Sequence, residues 1–179
     1  MATLMARPTA SEHSEYFGRY ITLVPDGDVF DTLTKQIDVL NKELGGLSEK
    51  QANYRYAPDQ WSIKEVLGHI IDTERVMAYR ALCVSRNEKK ALPGFEQDDY
   101  VRESNFSART FADLMDEFEL VRRSNIVAFR TLPEAMSQRC GTASGSPIGV
   151  RALIYIMAGH VSWHMRSLQD EYLEGARKL

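Results

Sequence analysis

The chain has 179 residues, of which 44% are hydrophobic, and a formal net charge of −3 at pH 7. This length suits one domain that buries about 70% of the surface of its unfolded chain. No basic patch is dense enough to indicate nucleic-acid binding. The sequence has neither an apolar run long enough to span a membrane nor the apolar centre of a signal peptide. The two cysteines, Cys83 and Cys140, lack Cys-x-x-Cys spacing, so we expect free thiols in a cytoplasmic protein.

Four long segments carry helical periodicity, and strand-like alternation is nearly absent, which predicts an all-α fold. Residues 1–24 are interpreted as an N-terminal arm, and residues 25–179 as a single domain. The first long helix is predicted to begin after Asp28 as N-cap and to end at Gly45-Gly46, where glycine supplies a left-handed terminal residue.

The second helix has the clearest start signal in the sequence. Ser62 is placed as the N-cap, Glu65 three residues later returns its hydrogen bond, and Trp61 is expected to pack on Val66. The helix is predicted to run to about Arg86.

The third and fourth helices also have recognisable ends. The third is predicted to begin near Thr110, with Asp113 completing a cap, and to stop before Pro133. The fourth is predicted to open at Ser146-Pro147, with proline in its first turn, and to end near Leu173.

The segment of residues 87–107 is long for a helix connection, because helix hairpins need only about 2 to 8 residues. Such a linker can run back along a whole helix, which predicts a four-helix bundle with a long crossover between helices two and three. Its acidic residues Glu96, Asp98 and Asp99 either fold over a site at the end of the bundle or remain solvated.

Three of the four histidines fall on apolar helix faces. His160 and His164 are one helical turn apart in the fourth helix, and His69 lies in the early part of the second. If these helices are antiparallel neighbours, the three imidazoles reach one level of the bundle. Each histidine alone is explained as a satisfied core residue, but three together favour a shared divalent cation, as in catalytic sites with three histidines and an open position.

Glu74 lies within the apolar stripe of the second helix, where a carboxylate needs a partner. An arginine from another helix is one explanation, and an acid/base or supporting role at the metal is the other. Arg122 and Arg123 are interpreted as a solvated helix face, and Glu171 as solvated or at the mouth of the site. Glu65 is explained by capping, although a supporting role behind His69 is the alternative.

The stretch from Trp61 to Glu74, the Leu92-Pro93-Gly94-Phe95 crossover and the His160-x-x-x-His164 pair resemble the DinB superfamily, close to its YfiT-like branch. The resemblance spans nearly the whole chain. It implies a four-helix bundle with a crossover, a homodimer, and a divalent ion such as zinc or nickel on His69, His160 and His164.

Relatives in that family transfer or use low-molecular-weight thiols, or are classed as hydrolases. The resemblance therefore implies a metal-dependent enzyme acting on a small molecule, with thiol transfer favoured over hydrolysis and a thiol as possible cosubstrate. A non-catalytic dimer whose metal only stabilises the bundle is the alternative, with Glu74 or a crossover acid as fourth ligand. A metal-free helical scaffold is the third possibility.

Overall fold

The computed structural model describes residues 4–179, so residues 1–3 of the predicted arm lie outside the described residues. In chain order the helices are α1 (Glu15–Ile21), α2 (Val29–Leu44), α3 (Glu49–Ala52), α4 (Ile63–Ser85), α5 (Gln97–Glu103), α6 (Phe111–Phe129), α7 (Glu134–Ser137), α8 (Val150–Ser167) and α9 (Leu173–Ala176). Strands β1 (Cys140–Ala143) and β2 (Ser146–Gly149) form an antiparallel hairpin. Short 3-10 turns at Ala10–Glu12 and Phe106–Ala108 and a π turn at Leu168–Tyr172 complete the elements.

The four long helices α2, α4, α6 and α8 form the predicted bundle. Helix α4 packs on α6 and α8, and α2 packs on the same two helices, so α2 and α4 lie on opposite corners. The start of α4 meets the end of α8, whereas α4 and α6 run in the same direction: Lys64 bonds the Arg109 carbonyl just before α6, and Glu74 bonds Arg122 further along. Parallel neighbours require a long connection, which is why the crossover between α4 and α6 exists.

The predicted helix starts are confirmed at three caps. The Asp28 carboxylate accepts the Phe30 amide, Ser62 and Glu65 form the reciprocal capping box of α4, and the Thr110 hydroxyl accepts the amide of Asp113. Each cap satisfies backbone donors that a helix start leaves free, worth about 1 kcal/mol. These local signals therefore determine where α2, α4 and α6 begin.

The predicted start of the fourth helix at Ser146-Pro147 is wrong. Residues Ser146–Gly149 form β2, and α8 begins at Val150. Ser144 and Gly145 both have positive φ, of 51° and 75°, which is the two-residue turn that matches the twist of a hairpin. The strand pairing thus overrides the serine-proline start signal, and the Leu92 backbone of the crossover pairs with the same hairpin.

A polar layer divides the core into two apolar clusters. In each long helix, a polar side chain lies in sequence between members of the two clusters; these are Gln36 in α2, Glu74 in α4, Arg122 in α6 and His160 in α8. The expectation that Arg122 is solvated is wrong, since its side chain is 0% exposed. Over residues 4–179, no helix combines the length and apolarity that crossing a bilayer requires.

Candidate metal centre

The three predicted histidines meet in one cluster. His160 Nε2 lies 3.0 Å from His69 Nε2 and 3.1 Å from His164 Nε2. One potential ligand atom from each ring lies within 4.8 Å of the other two. The antiparallel packing of α4 on α8 brings these rings to one level, because His69 lies near the start of α4 while His160 and His164 lie late in α8.

Burial keeps the three imidazoles neutral. Burial lowers the pKa of His69 to about 3, with a smaller contribution from the nearby His164. Burial lowers the pKa of His164 to about 4, helped by the positive charge of Arg19. Burial also lowers the pKa of His160 well below its usual 6.5, and the neighbouring His164 and His69 lower it further. All three rings are therefore in the neutral form that coordinates metal ions.

The arrangement of nitrogens fits a cation better than it fits protein hydrogen bonds. A neutral imidazole carries one N–H, so one shared proton satisfies only one of the two close contacts at His160 Nε2. Nitrogens bound to one tetrahedral zinc ion are about 3.4 Å apart, given Zn–N distances of about 2.0–2.1 Å. His69, His160 and His164 can thus hold one divalent ion with modest adjustment.

Aromatic rings enclose the cluster on two sides. The Trp61 ring packs on His69 with a centroid distance of 5.0 Å, and the Tyr20 ring meets His160 edge-on at 5.3 Å. Arg19 donates to the Tyr20 hydroxyl at 3.0 Å and lies over the Trp163 ring. Because burial raises the pKa of Tyr20 to about 12, its hydroxyl stays protonated beside the site.

A cavity of about 440 Å³ opens onto His69 and His160. Its walls come from the α1 region, α4, the crossover and the β1–β2 turn. Of the crossover acids, Glu96 and Asp98 line this cavity as exposed side chains, whereas Asp99 pairs with Arg102 at the surface. The volume is in the usual range for small-molecule sites, about 300 to 1,000 Å³.

Glu74 is buried and lies in the predicted stripe, but its carboxylate is occupied. Arg122 donates to both carboxylate oxygens, from Nε at 2.9 Å and from Nη2 at 2.8 Å, and Asn125 adds a bond at 3.1 Å. Arg122 Nη1 also donates to Gln36 Oε1 at 2.7 Å. Among the described residues, no hydrogen bond links Glu74 to a histidine of the cluster, so its suggested acid/base role stays a prediction.

The remaining candidates lie apart from the cluster. Glu65 caps α4 and accepts a hydrogen bond from Arg55. Glu171 is exposed and accepts a bond from the Ser167 hydroxyl. Cys83 and Cys140 are free thiols in the described part of the chain.

Sequence reasoning missed four residues of the cavity and its surroundings. Tyr20 lies in the arm. The signal that marks it is its position four residues after Tyr16, which puts both aromatic rings on one helix face. The sequence places Trp61 before the cap of α4 and predicts only packing on Val66. Thr73 and Arg80 follow His69 on the cavity side of α4. Arg80 is a charged residue among apolar neighbours, which is the same signal that marks Glu74.

The comparisons with known proteins agree with this fold. A protein of Oceanobacillus iheyensis named "Putative metal-dependent hydrolase OB0413" is 21% identical over 141 residues, which cover 75% of this chain and 80% of that protein. The structure of YfiT from Bacillus subtilis, described as a probable metal-dependent hydrolase with an unusual four-helix bundle topology, aligns with a TM-score of 0.70 at 12% identity. That alignment covers 97% of this chain and 92% of YfiT, and it supports the four-helix bundle.

The sequence model of the DinB superfamily matches residues 32–168, which include all three clustered histidines and most of the bundle. The motifs that suggested the resemblance lie within the matched range. The chain therefore belongs to the DinB superfamily.

Proposed function

We propose that the chain is a metal-dependent enzyme in which His69, His160 and His164 bind one divalent ion at the wall of the 440 Å³ cavity. The observation that carries the proposal is the convergence of three neutral imidazoles on a point beside a cavity large enough for a small molecule. A divalent ion in such a site supplies Lewis acidity, which makes a coordinated thiol or water nucleophilic near neutral pH.

The chain's own residues hold this site in place. Burial keeps the rings neutral, so at pH 7 each ring has one nitrogen lone pair for the metal and need not lose a proton from an imidazolium. Trp61 and Tyr20 shield the cluster from solvent, and their contacts restrict the rotation of the His69 and His160 rings. The cavity lies on the remaining side, where the substrate has access.

The position of the acidic residues supports an open rather than a closed site. A purely structural metal needs a fourth protein ligand. Glu74 is engaged by Arg122, and the exposed Glu96 and Asp98 do not belong to the cluster of potential ligands. Three protein ligands leave a position for an exchangeable molecule, as catalytic sites require.

Thiol transfer and hydrolysis are the two reaction types that this site accommodates. Thiol transfer is the type favoured by the family resemblance, whereas the two compared relatives are described as metal-dependent hydrolases. We therefore propose a screen of small electrophiles with bacillithiol, mycothiol, glutathione and water as competing acceptors, on metal-loaded protein. Turnover with a thiol or with water assigns the reaction, and no turnover in any combination supports the non-catalytic alternative.

Metal analysis of protein purified without an affinity tag tests the ligand set. We expect about one divalent ion per chain in the wild type and a large loss in His164→Ala. His13→Ala is the matched control, because His13 bonds its neighbour Ser14 and lies outside the cluster. Full metal occupancy in His164→Ala, or equal loss in both variants, contradicts the ligand set.

Zinc and nickel are the ions that we propose, since imidazole ligands suit both. We also propose a homodimer, which the exposed apolar side chains Leu120 and Val127 on α6 support. Sedimentation equilibrium of the wild type and of Leu120→Glu tests this assembly, and a monomeric wild type contradicts it.

A further inference from the structure

We propose that Arg80 binds an anionic group of the substrate in the cavity, beyond the histidine cluster along α4, and that Thr73 contacts the ligand between the two. The inference rests on the proposed function in taking the cavity as the substrate site. It names the substrate class as an elongated small molecule with a carboxylate or phosphate group remote from its reacting atom.

Arg80 is a buried cation in the wall of the cavity. The residue is 3% exposed and lines the same cavity as His69 and His160. Its Nη2 donates to the Pro93 carbonyl at 2.7 Å and to Ser144 Oγ at 3.1 Å, and its Nη1 approaches Met77 Sδ at 3.9 Å. Because a guanidinium has five N–H donors, these contacts leave donors for a ligand.

The positive charge of Arg80 is not neutralised by a protein carboxylate. None of the ion pairs found among residues 4–179, at up to 4.0 Å between nitrogen and oxygen, involves Arg80. Glu96 and Asp98 line the same cavity but are exposed to solvent at the crossover. Burial accordingly lowers the pKa of Arg80 from its usual value. A buried charge without a counter-ion is costly, and a bound anion offsets that cost.

The contacts of Arg80 with the crossover and the hairpin also stabilise the fold. Neutral donors can make the same two bonds to Pro93 and Ser144 without burying a charge. A structural role therefore explains the hydrogen bonds but not the uncompensated guanidinium. Arginine is moreover the side chain whose planar donor fork matches carboxylate and phosphate groups.

Thr73 supplies a second, independent observation. Its Oγ1 is buried and has no hydrogen-bond partner among the described residues, although the side chain lines the cavity. A buried hydroxyl without a partner destabilises the protein, because its hydration is lost without replacement. A small movement of the side chain would let a ligand oxygen in the cavity accept a hydrogen bond from this hydroxyl. Thr73 lies one helical turn after His69 on the way to Arg80.

The spacing along α4 sets the shape of the substrate. Arg80 follows His69 by about 16 Å of helix axis at about 1.5 Å per residue, and long helical side chains point back toward the helix start. Both residues line one cavity, so their side chains meet it at two different levels along α4. A ligand that reaches both must be elongated, with Thr73 beside its middle.

The test uses hexanoate and hexyl phosphate as anionic probes and hexanamide as the neutral match for hexanoate. Binding is followed by NMR titration, including the ¹⁵N resonance of Arg80 Nε, with metal-free and zinc-loaded protein compared. Metal-free protein excludes direct coordination of the probe to the metal. We expect hexanoate or hexyl phosphate to bind at least about tenfold more tightly than hexanamide, and the tighter of the two anions identifies the group.

Arg80→Met is expected to weaken binding of the preferred anion by about tenfold or more, and Thr73→Val by a smaller factor. Arg123→Met is the matched control, because Arg123 is an exposed residue of α6 paired with Glu119. Equal affinity of wild type and Arg80→Met for the preferred anion, or binding of neither anion more tightly than hexanamide, overturns the proposal. If Arg80→Met does not fold, the Arg80 Nε resonance of the wild type decides: a shift on titration supports the subsite, and no shift overturns it.

This experiment separates the subsite from the proposed function. Loss of metal from the histidines or absence of turnover leaves the metal-free titration unaffected. A failed titration with a metal-loaded, active protein overturns only the anion subsite.

Discussion

Gly159 leaves the space that the carbonyl oxygen of Tyr20 occupies. A Cβ atom on residue 159 would lie 2.0 Å from that oxygen, far inside van der Waals contact. The end of α1 therefore rests directly on the α8 backbone, immediately before the ligand candidate His160. This close approach also places the Tyr20 ring on the His160 ring.

Replacing Gly159 with alanine should move α1 off α8. The obstructing atom is backbone, so the clash is relieved only by shifting a helix, and we expect a loss of about 1–3 kcal/mol in the free energy of unfolding. The same shift should remove Tyr20 from His160 and reduce metal occupancy. Urea denaturation and metal analysis measure the two effects. In the control Gly46→Ala, the added Cβ meets nothing within 4 Å, so wild-type occupancy is expected.

The ion pair of Glu74 and Arg122 gives a second prediction. Both side chains are within 1% of full burial, so removing one partner leaves an unpaired buried charge. Arg122→Met should therefore lower the free energy of unfolding by about 3–5 kcal/mol, whereas the double variant Glu74→Leu/Arg122→Met should recover much of the loss. Denaturant titrations of the single and double variants measure the coupling.

Arg123→Met is the control for this pair, because the Arg123–Glu119 contact is at the surface and should contribute less than about 1 kcal/mol. Equal losses in Arg122→Met and Arg123→Met would contradict the structural importance of the buried pair. Full metal binding by the double variant, combined with loss of turnover, would instead favour the catalytic role first considered for Glu74.

Helix starts and the histidine cluster were predictable because their signals are local and periodic. Ser62 with Glu65, and Thr110 with Asp113, each set a helix start within a few residues. The histidine cluster followed from helical spacing together with the assumption that α4 and α8 are antiparallel.

The errors arose where distant parts of the chain decide the outcome. Helical periodicity places Arg122 correctly on α6 but cannot show that Glu74 and Gln36 from other helices surround it. Ser146-Pro147 resembles a helix start, and only pairing with β1 makes it a strand. The sequence does not single out Arg80, because its distinguishing feature is the lack of a nearby carboxylate, which no pattern along the chain reveals.

The lowered pKa values of the buried histidines predict how the stability of metal-free protein depends on pH. The pKa of each ring is about 6.5 when unfolded but about 3 for folded His69 and about 4 for folded His164. Between these values the unfolded chain binds more protons, so stability is full above about pH 6.5 and falls as pH decreases toward 4. Denaturant titrations from pH 7.5 to 4.5 should show this decline.

Removing one histidine ring separates the histidine contribution to this decline from that of carboxylates. Glu12 and Glu65, for example, have pKa values below the usual 4.5 and protonate at lower pH. His69→Gln should show a shallower decline between pH 6.5 and 4.5 than the wild type. Parallel pH profiles for the two proteins would contradict the assignment of the decline to the histidines.

Metal binding should raise the melting temperature of the wild type. Ligands that bind only the folded state stabilise it by about 2.7 kcal/mol at a concentration 100 times their Kd. For a domain of this size that corresponds to a shift of about 5–10 °C. Calorimetry of protein with EDTA and with excess zinc measures the shift. His164→Gln should lose most of it, because two imidazoles hold the ion more weakly than three, whereas His13→Gln should retain it. A melting temperature that chelation leaves unchanged would instead indicate a metal-free scaffold.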